Sequence, residues 1–173
     1  MFEIKMPYLV IILLLILSVK MSVSQDVKLT NPIFTSETII GTAESPSWSL
    51  DSKDLAFSAW DGSKWSLFIY NLDDDTLIKH SDGFSNERNP VWHPDGVNLV
   101  FDRYIDSKPE LYTLNYKSKQ KSLLFDREIN ASMASFSSSP NLICFLGFDI
   151  VSETWQIYSY DFKDLEVDVK FTS

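Results

Sequence analysis

The sequence predicts an all-β fold, a partial β-propeller of about three four-stranded antiparallel blades preceded by an N-terminal hydrophobic segment. Three observations carry that reading. The segment Asn89 to Phe101 recurs 44 residues earlier and 44 residues later. Each copy is followed by further short strand patterns separated by turn residues, giving units of the roughly 40–45 residues that a propeller blade occupies. After residue 25 almost no stretch holds the three-and-four apolar spacing of an amphipathic helix.

The repeat is chemical as well as numerical. In Asn89-Pro90-Val91-Trp92-His93-Pro94-Asp95-Gly96-Val97-Asn98-Leu99-Val100-Phe101, Pro90 to Trp92 suit an entering strand and Leu99 to Phe101 a leaving one. Between them Pro94 presets φ and Gly96 admits positive φ, so Pro94-Asp95-Gly96 makes the turn. Ser45 to Phe57 and Met133 to Phe145 align with this segment. Trp48, Trp92 and Phe136 then share one position, and Phe57, Phe101 and Phe145 another.

The motif at Pro90 to Phe101, followed by the strand pattern Glu110 to Asn115, resembles the propeller repeat of TolB, a family of periplasmic translocation proteins. The resemblance runs from about Ser45 to Asp161. It is strongest in the second unit and weakest in the third, where Ser137-Ser138-Ser139-Pro140-Asn141 replaces the Ser-Pro-Asp-Gly turn. It implies a propeller and, through the family, a protein partner in the bacterial cell envelope.

In chain order, residues 1–24 read as a signal peptide: Lys5 in a short lead, an apolar run from Tyr8 to Val19, then small residues at Ser22 and Ser24. The run is about a dozen residues, short of the roughly 20 that span a hydrocarbon core. Export to the periplasm or the exterior is therefore favoured over an uncleaved membrane anchor, and membrane contact is expected only through this segment. Residues 25–44 form an N-terminal strap or outer strands. The blades follow as units 45–88, 89–132 and 133–173. Their strands are read at 46–48, 55–59, 65–71 and 76–79; at 91–92, 98–103, 110–115 and 122–125; and at 134–136, 142–147, 155–160 and 165–169. Asp61-Gly62 and Asp106-Ser107-Lys108-Pro109 mark hairpin loops. Leu55-Ala56-Phe57 and Leu99-Val100-Phe101 are apolar on both faces, as strands packed between neighbouring sheets must be. The aromatics, 14% of the chain, fill the space between blades.

Without residues 1–24 the chain has 13 basic and 23 acidic residues, a formal charge of −10, which repels phosphate backbones and argues against a nucleic-acid partner. One cysteine, Cys144, rules out an intrachain disulfide. It aligns with Ala56 and Val100, so it reads as a buried core residue. His93 aligns with Ser49 and Ser137 and reads as a turn residue that serine would replace; His80 reads as a solvated loop histidine. Asp73-Asp74-Asp75 lacks the alternating spacing and the glycine of a calcium loop. Asn130-Ala131-Ser132 is a glycosylation sequon, relevant only in a eukaryotic source. No catalytic, cofactor-binding or metal-ligating residue is assigned, and no Gly-x-Ser-x-Gly elbow or phosphate loop occurs. The function expected is a non-catalytic protein-interaction module; the alternative is a fragment of an enzyme-associated propeller, of the peptidase-gating or carbohydrate-active lyase type.

Three blades fall short of the about four to eight that close a ring, so the first and third are expected to leave apolar faces open. Self-association of two arcs into a six-blade ring or a partner chain supplying the missing blades is favoured over a truncated gene product that never folds well, because the first two units keep intact turn chemistry. Cleavage of the leader should leave an N-terminus at or near Gln25 outside the cytoplasm; N-terminal sequencing that returned Met1 from a membrane fraction would identify an anchor instead.

Overall fold

The computed structural model describes residues 41–125, 130–164 and 166–171, the last segment by its backbone. The signal-peptide reading of residues 1–24 and most of the 25–44 strap fall outside these residues. Among the described residues, twelve strands form three four-stranded sheets, each a simple antiparallel meander in chain order. The first sheet holds β1 (Ala43–Trp48), β2 (Asp54–Trp60), β3 (Trp65–Asn71) and β4 (Thr76–Lys79). The second holds β5 (Asn86–Trp92), β6 (Asn98–Ile105), β7 (Lys108–Asn115) and β8 (Lys121–Leu123). The third holds β9 (Ala131–Phe136), β10 (Leu142–Asp149), β11 (Thr154–Asp161) and β12 (Glu166–Phe171). Each sheet is one blade, and each begins two or three residues before the unit boundary read from the sequence.

The turns show why these residues reverse where they do. After β5, Gly96 adopts φ 69° while the Asp95 carboxylate accepts the N–H groups of Val97 and Asn98 at 2.8 and 2.9 Å. Ser52 takes the same place in the first blade at φ 59°. In the third blade that position is Pro140, whose ring fixes φ negative, and the turn departs from the other two. Asp106 and Ser107 both have positive φ, as a two-residue type I′ hairpin requires, so β7 starts at Lys108 and Pro109 lies within the strand opposite Tyr104. The largest difference from the sequence reading is β5, which starts at Asn86 and not at Val91. Asn86 to Asn89 are polar, and strand-like alternation cannot reveal them because their partners lie largely in other parts of the fold.

Neighbouring blades pack face to face. The first junction buries Ala56, Leu67 and Ile69 of one blade against Trp92, Leu99, Phe101 and Leu114 of the next. The second joins Val100 and Leu111 to Ala131, Ile143, Phe145 and Tyr160, with Phe125 between. Equivalent sequence positions do not share equivalent burial. Trp92 is 5% exposed because it faces the first blade, whereas Trp48 is 47% exposed. Cys144 corrects the reading made from its alignment: it does occupy the strand position of Ala56 and Val100, yet it is exposed. Those two are covered by the following blade, and no described sheet follows the third. The expectation of two open end faces holds at this end alone. On the far side of the first blade, Leu55, Phe57, Phe68 and Tyr70 are buried, with Phe57 and Phe68 stacked at 5.8 Å.

Trp92→Ala should cost roughly 3–5 kcal/mol, the range for deleting a buried aromatic, while Trp48→Ala should cost under about 1 kcal/mol. Denaturant unfolding of the two variants measures the difference; equal losses would contradict the placement of the two rings.

Candidate functional site

The first strands of the three blades, β1, β5 and β9, pack side by side and line one groove. Each is an edge strand, which is where Pro46 and Pro90 can be tolerated without removing a ladder hydrogen bond. Each also carries a bulge at the same repeat position. Ser45, Asn89 and Met133 have φ of 52°, 52° and 56°, and the pairing with the second strand slips by one residue around them.

The bulge turns a backbone N–H across the junction to the preceding blade. Asn89 N–H donates to Ser58 Oγ at 2.9 Å, and Met133 N–H donates to Asp102 Oδ1 at 3.1 Å. Ser58 and Asp102 are equivalent residues on β2 and β6. Side chains extend the connection: Ser45 Oγ donates to Asn89 Oδ1 at 2.7 Å, Asn89 Nδ2 to Asp102 Oδ2 at 2.7 Å, and Ser132 Oγ to the same carboxylate. A continuous polar chain thus runs through all three blades beneath the groove. Beside it, Arg88 forks onto the Glu44 carboxylate at 2.5 and 2.8 Å and lies 4.6 Å over the Trp65 ring. Glu44 and Arg88 also stand 44 residues apart, one on each blade. The Glu44 bond raises the Arg88 guanidinium still further above its ordinary value, against the opposing effect of burial.

Asp102 is fully buried. Burial pushes its carboxyl up to about 6, against the lowering effect of the Ser132, Asn89 and Met133 donors and the Arg88 charge. Asp61 shows the opposite balance. Burial would raise it, but Lys79, Ser66 and the N–H groups of Lys64 and Ser63 hold it well below the usual carboxylate range.

The groove has a volume of about 320 Å³, with Pro46, Pro90, Val91, Met133 and Ala134 supplying its apolar lining. At one end it meets a second recess of about 430 Å³, walled by Trp48, Leu50, Trp92, His93 and Phe136. His93 is a turn residue, as expected: its Nδ1 accepts Asp95 N–H at 3.0 Å, much as Ser137 Oγ accepts Ser139 N–H. It is not interchangeable with serine, however. Its Nε2 donates to Pro140 O on the third blade at 2.9 Å, and its ring meets Phe136 edge-on at 4.8 Å. His80 is half-buried where the sequence reading placed it in solvent. Its burial, with Lys119 and Lys121 nearby, lowers its pKa to about 4, and Nδ1 lacks a hydrogen-bond partner among the described residues. Asp73 and Asp75 do not converge: Asp73 pairs with Lys53 at 2.5 Å, and Asp75 accepts the Tyr70 hydroxyl at 2.5 Å. Ser132 of the sequon is buried against Asp102. None of the residues weighed for chemistry is brought to another of them, and the described residues contain no group of three metal-ligating side chains.

Neither a family model nor a curated protein matches the sequence. Solved structures do. TolB from Acinetobacter baumannii aligns over 75% of this chain and 32% of its own length, with TM-score 0.62 and 20% identity. The chain has a TolB-like propeller fold. An oligogalacturonate lyase in complex with manganese aligns over 74% of this chain and 36% of its own, with TM-score 0.58 and 16% identity. The β-propeller domain of the Trilobed protease from Pyrococcus furiosus aligns over 76% and 42%, with TM-score 0.55 and 16% identity. This TolB-like chain therefore spans about a third of the A. baumannii protein's length, and similar folds occur in enzymes as well.

What the sequence reading missed in this TolB-like fold is the polar chain at the blade junctions. The signal was available: Asp102 interrupts an apolar strand, and residues 44, 88 and 132, like 58, 102 and 146, align at the repeat spacing. Because the folded-state pKa of Asp102 lies above its unfolded value, the stabilising proton uptake is complete below about pH 4 and is lost as pH rises through about 6. The full effect is of the order of 3 kcal/mol. Asp102→Asn should remove that slope, so the stability difference between variant and wild type should shift in the variant's favour from about pH 4 to about pH 7. Urea unfolding at both pH values tests it; a constant difference would place the carboxylate in a setting that tolerates its charge.

Proposed function

We propose that the chain is an exported, non-catalytic interaction module that holds a protein of the cell envelope along the groove of its first strands. The observation that supports this most is the groove itself. Three edge strands line it, Pro46, Pro90, Val91 and Ala134 give it an apolar wall, and Met133, also in its lining, has 60% of its surface exposed. An apolar wall with an exposed side chain at its edge suits an extended or looped protein segment. The apolar run of residues 8–19 supports export, and the likeness to TolB supports an envelope setting.

A second reading keeps the fold and changes the context. The lyase and the protease among the similar structures favour a role as part of an enzyme-associated propeller, whose chemistry is supplied elsewhere. In that case a physically linked catalytic domain, not a separate partner, would be recovered with the blades.

Affinity capture from an envelope extract of the source cells distinguishes these. The wild-type chain should retain a discrete protein, and Met133→Asp should weaken that retention about tenfold or more, equivalent to about 1.4 kcal/mol. Aspartate tolerates positive φ better than methionine does, so the variant keeps the bulge. Capture that Met133→Asp leaves untouched would move the contact away from the groove.

A further inference from the structure

We propose that the cleft between the outer strands of the first blade and the β7–β8 turn of the second binds a short zwitterionic peptide of about three residues, its amino group at Asp54 and its carboxylate at Lys119 and His80. The cleft lies at the first junction, shares no residue with the groove and has a volume of about 300 Å³, within the range of small-ligand sites. Strand pairing builds its floor in three rows. Asp54, Asn71 and Thr76 stand side by side across β2, β3 and β4; Ala56, Ile69 and Ile78 form the next row, and His80, whose N–H donates to Leu67 O at 2.9 Å, the last. The second blade covers Ala56, Leu67 and Ile69, but β4 extends past it, and Ile78 stays 47% exposed. The turn of residues 116–119 forms the facing wall, where Tyr116 is fixed edge-on against the buried Trp92 at 5.1 Å.

The two ends of this cleft carry opposite charges that the fold leaves unpaired. Asn71 organises the acidic end: its Nδ2 donates to Asp54 Oδ1 at 2.7 Å, and its Oδ1 accepts the backbone N–H of Asp74 at 2.8 Å. Neither Asp54 nor Asp74 has an ion-pair partner among the described residues, and the neighbouring Lys53 is taken by Asp73 at 2.5 Å. Asp54 is buried, and its carboxylate accepts that one amide bond among the described residues, so a ligand ammonium would supply the charge partner the fold withholds. At the other end Lys119 is held at φ 61° in the turn and has no acidic partner among the described residues, whereas Lys121 is paired with Glu87 at 2.7 Å. His80 completes this end. Its Nδ1 is buried without a hydrogen-bond partner among the described residues, and a bare lone pair there costs less than an unpaired N–H, so the proton sits on Nε2, which faces the cleft as a donor. The same polarity acts on the wall, where burial, with Asp54 and Asp51, raises the Tyr116 hydroxyl above its ordinary value.

Length and lining select the ligand. From Thr76 to His80 the strand covers about 13 Å, at about 3.3 Å per residue. A free amino acid cannot reach both ends; three extended residues span about 10 Å, and a charged contact of about 2.8 Å at each terminus covers the rest. The middle of the cleft, Ile69 and Ile78, is apolar and suits an apolar central side chain. Asp54 and Asp74 repel a simple anion, and Lys117 and Lys119 a simple cation, so a ligand carrying both charges is the one that satisfies both ends.

Titration calorimetry of the full chain with the tripeptide Ala-Leu-Ala tests the proposal. The free tripeptide should bind, and its N-acetylated and C-amidated forms should each bind about tenfold more weakly or worse, a comparison that needs no variant of the protein. Lys119→Asn, which keeps a residue tolerant of positive φ, should lower the affinity by a similar factor, and Lys163→Asn, the same loss of charge on the third blade, should leave it unchanged. Asp54→Asn, which can still accept the Asn71 amide bond, should weaken the free tripeptide and not the acetylated one. Absence of binding at millimolar tripeptide, equal affinity for the free and capped forms, acetate binding as tight as the tripeptide, or an affinity untouched by Lys119→Asn would each overturn it.

Discussion

The arrangement of the blades depends on one hydrogen bond made twice: the N–H of a bulged residue in the first strand of a blade, donated to a side chain in the middle strand of the blade before it. A non-glycine residue at positive φ is disfavoured by sterics, yet Asn89 and Met133 adopt it. The bulge is what frees the N–H from its own sheet and aims it across the junction, where Ser58 or Asp102 accepts it. Apolar packing alone would let two flat sheets slide by a residue pair at small cost. A directional bond fixed to the repeat position sets the offset, and with it the alignment of the three first strands along one groove.

That constraint also explains why a carboxylate is kept at the centre of an apolar junction. Asp102 accepts from a backbone N–H, an amide and a hydroxyl at once, drawing Asn89, Ser132 and Met133 together. Serine at the equivalent Ser58 accepts a single bond, and there the Glu44–Arg88 fork and the Arg88–Trp65 contact supply the rest of the junction. The two junctions are built on one plan with different residues. The third blade departs from the plan on its outer side, where Leu146 removes the acceptor, and its exposed face differs in chemistry from both internal ones. Function on such a scaffold resides in these surfaces and not in the fold, which the similar structures share with a lyase and a protease.

The sequence by itself determined the all-β class, the three repeats, the approximate place of all twelve strands and the chemistry of the turns. These are set by neighbours a few residues apart: alternation, proline and glycine, and the 44-residue spacing. It also placed Trp92 between blades. What the tertiary structure decided was which copy of a repeated position is buried. Trp48 and Trp92 are the same residue in the same motif, and Cys144 stands where Ala56 and Val100 stand, but burial comes from the adjoining blade, and alignment within a repeat carries no record of whether that neighbour exists. The polar residues of β5 were hidden for the same reason. Asn89 and Arg88 have partners 13 to 44 residues away in sequence, across a junction that forms only when the sheets stack.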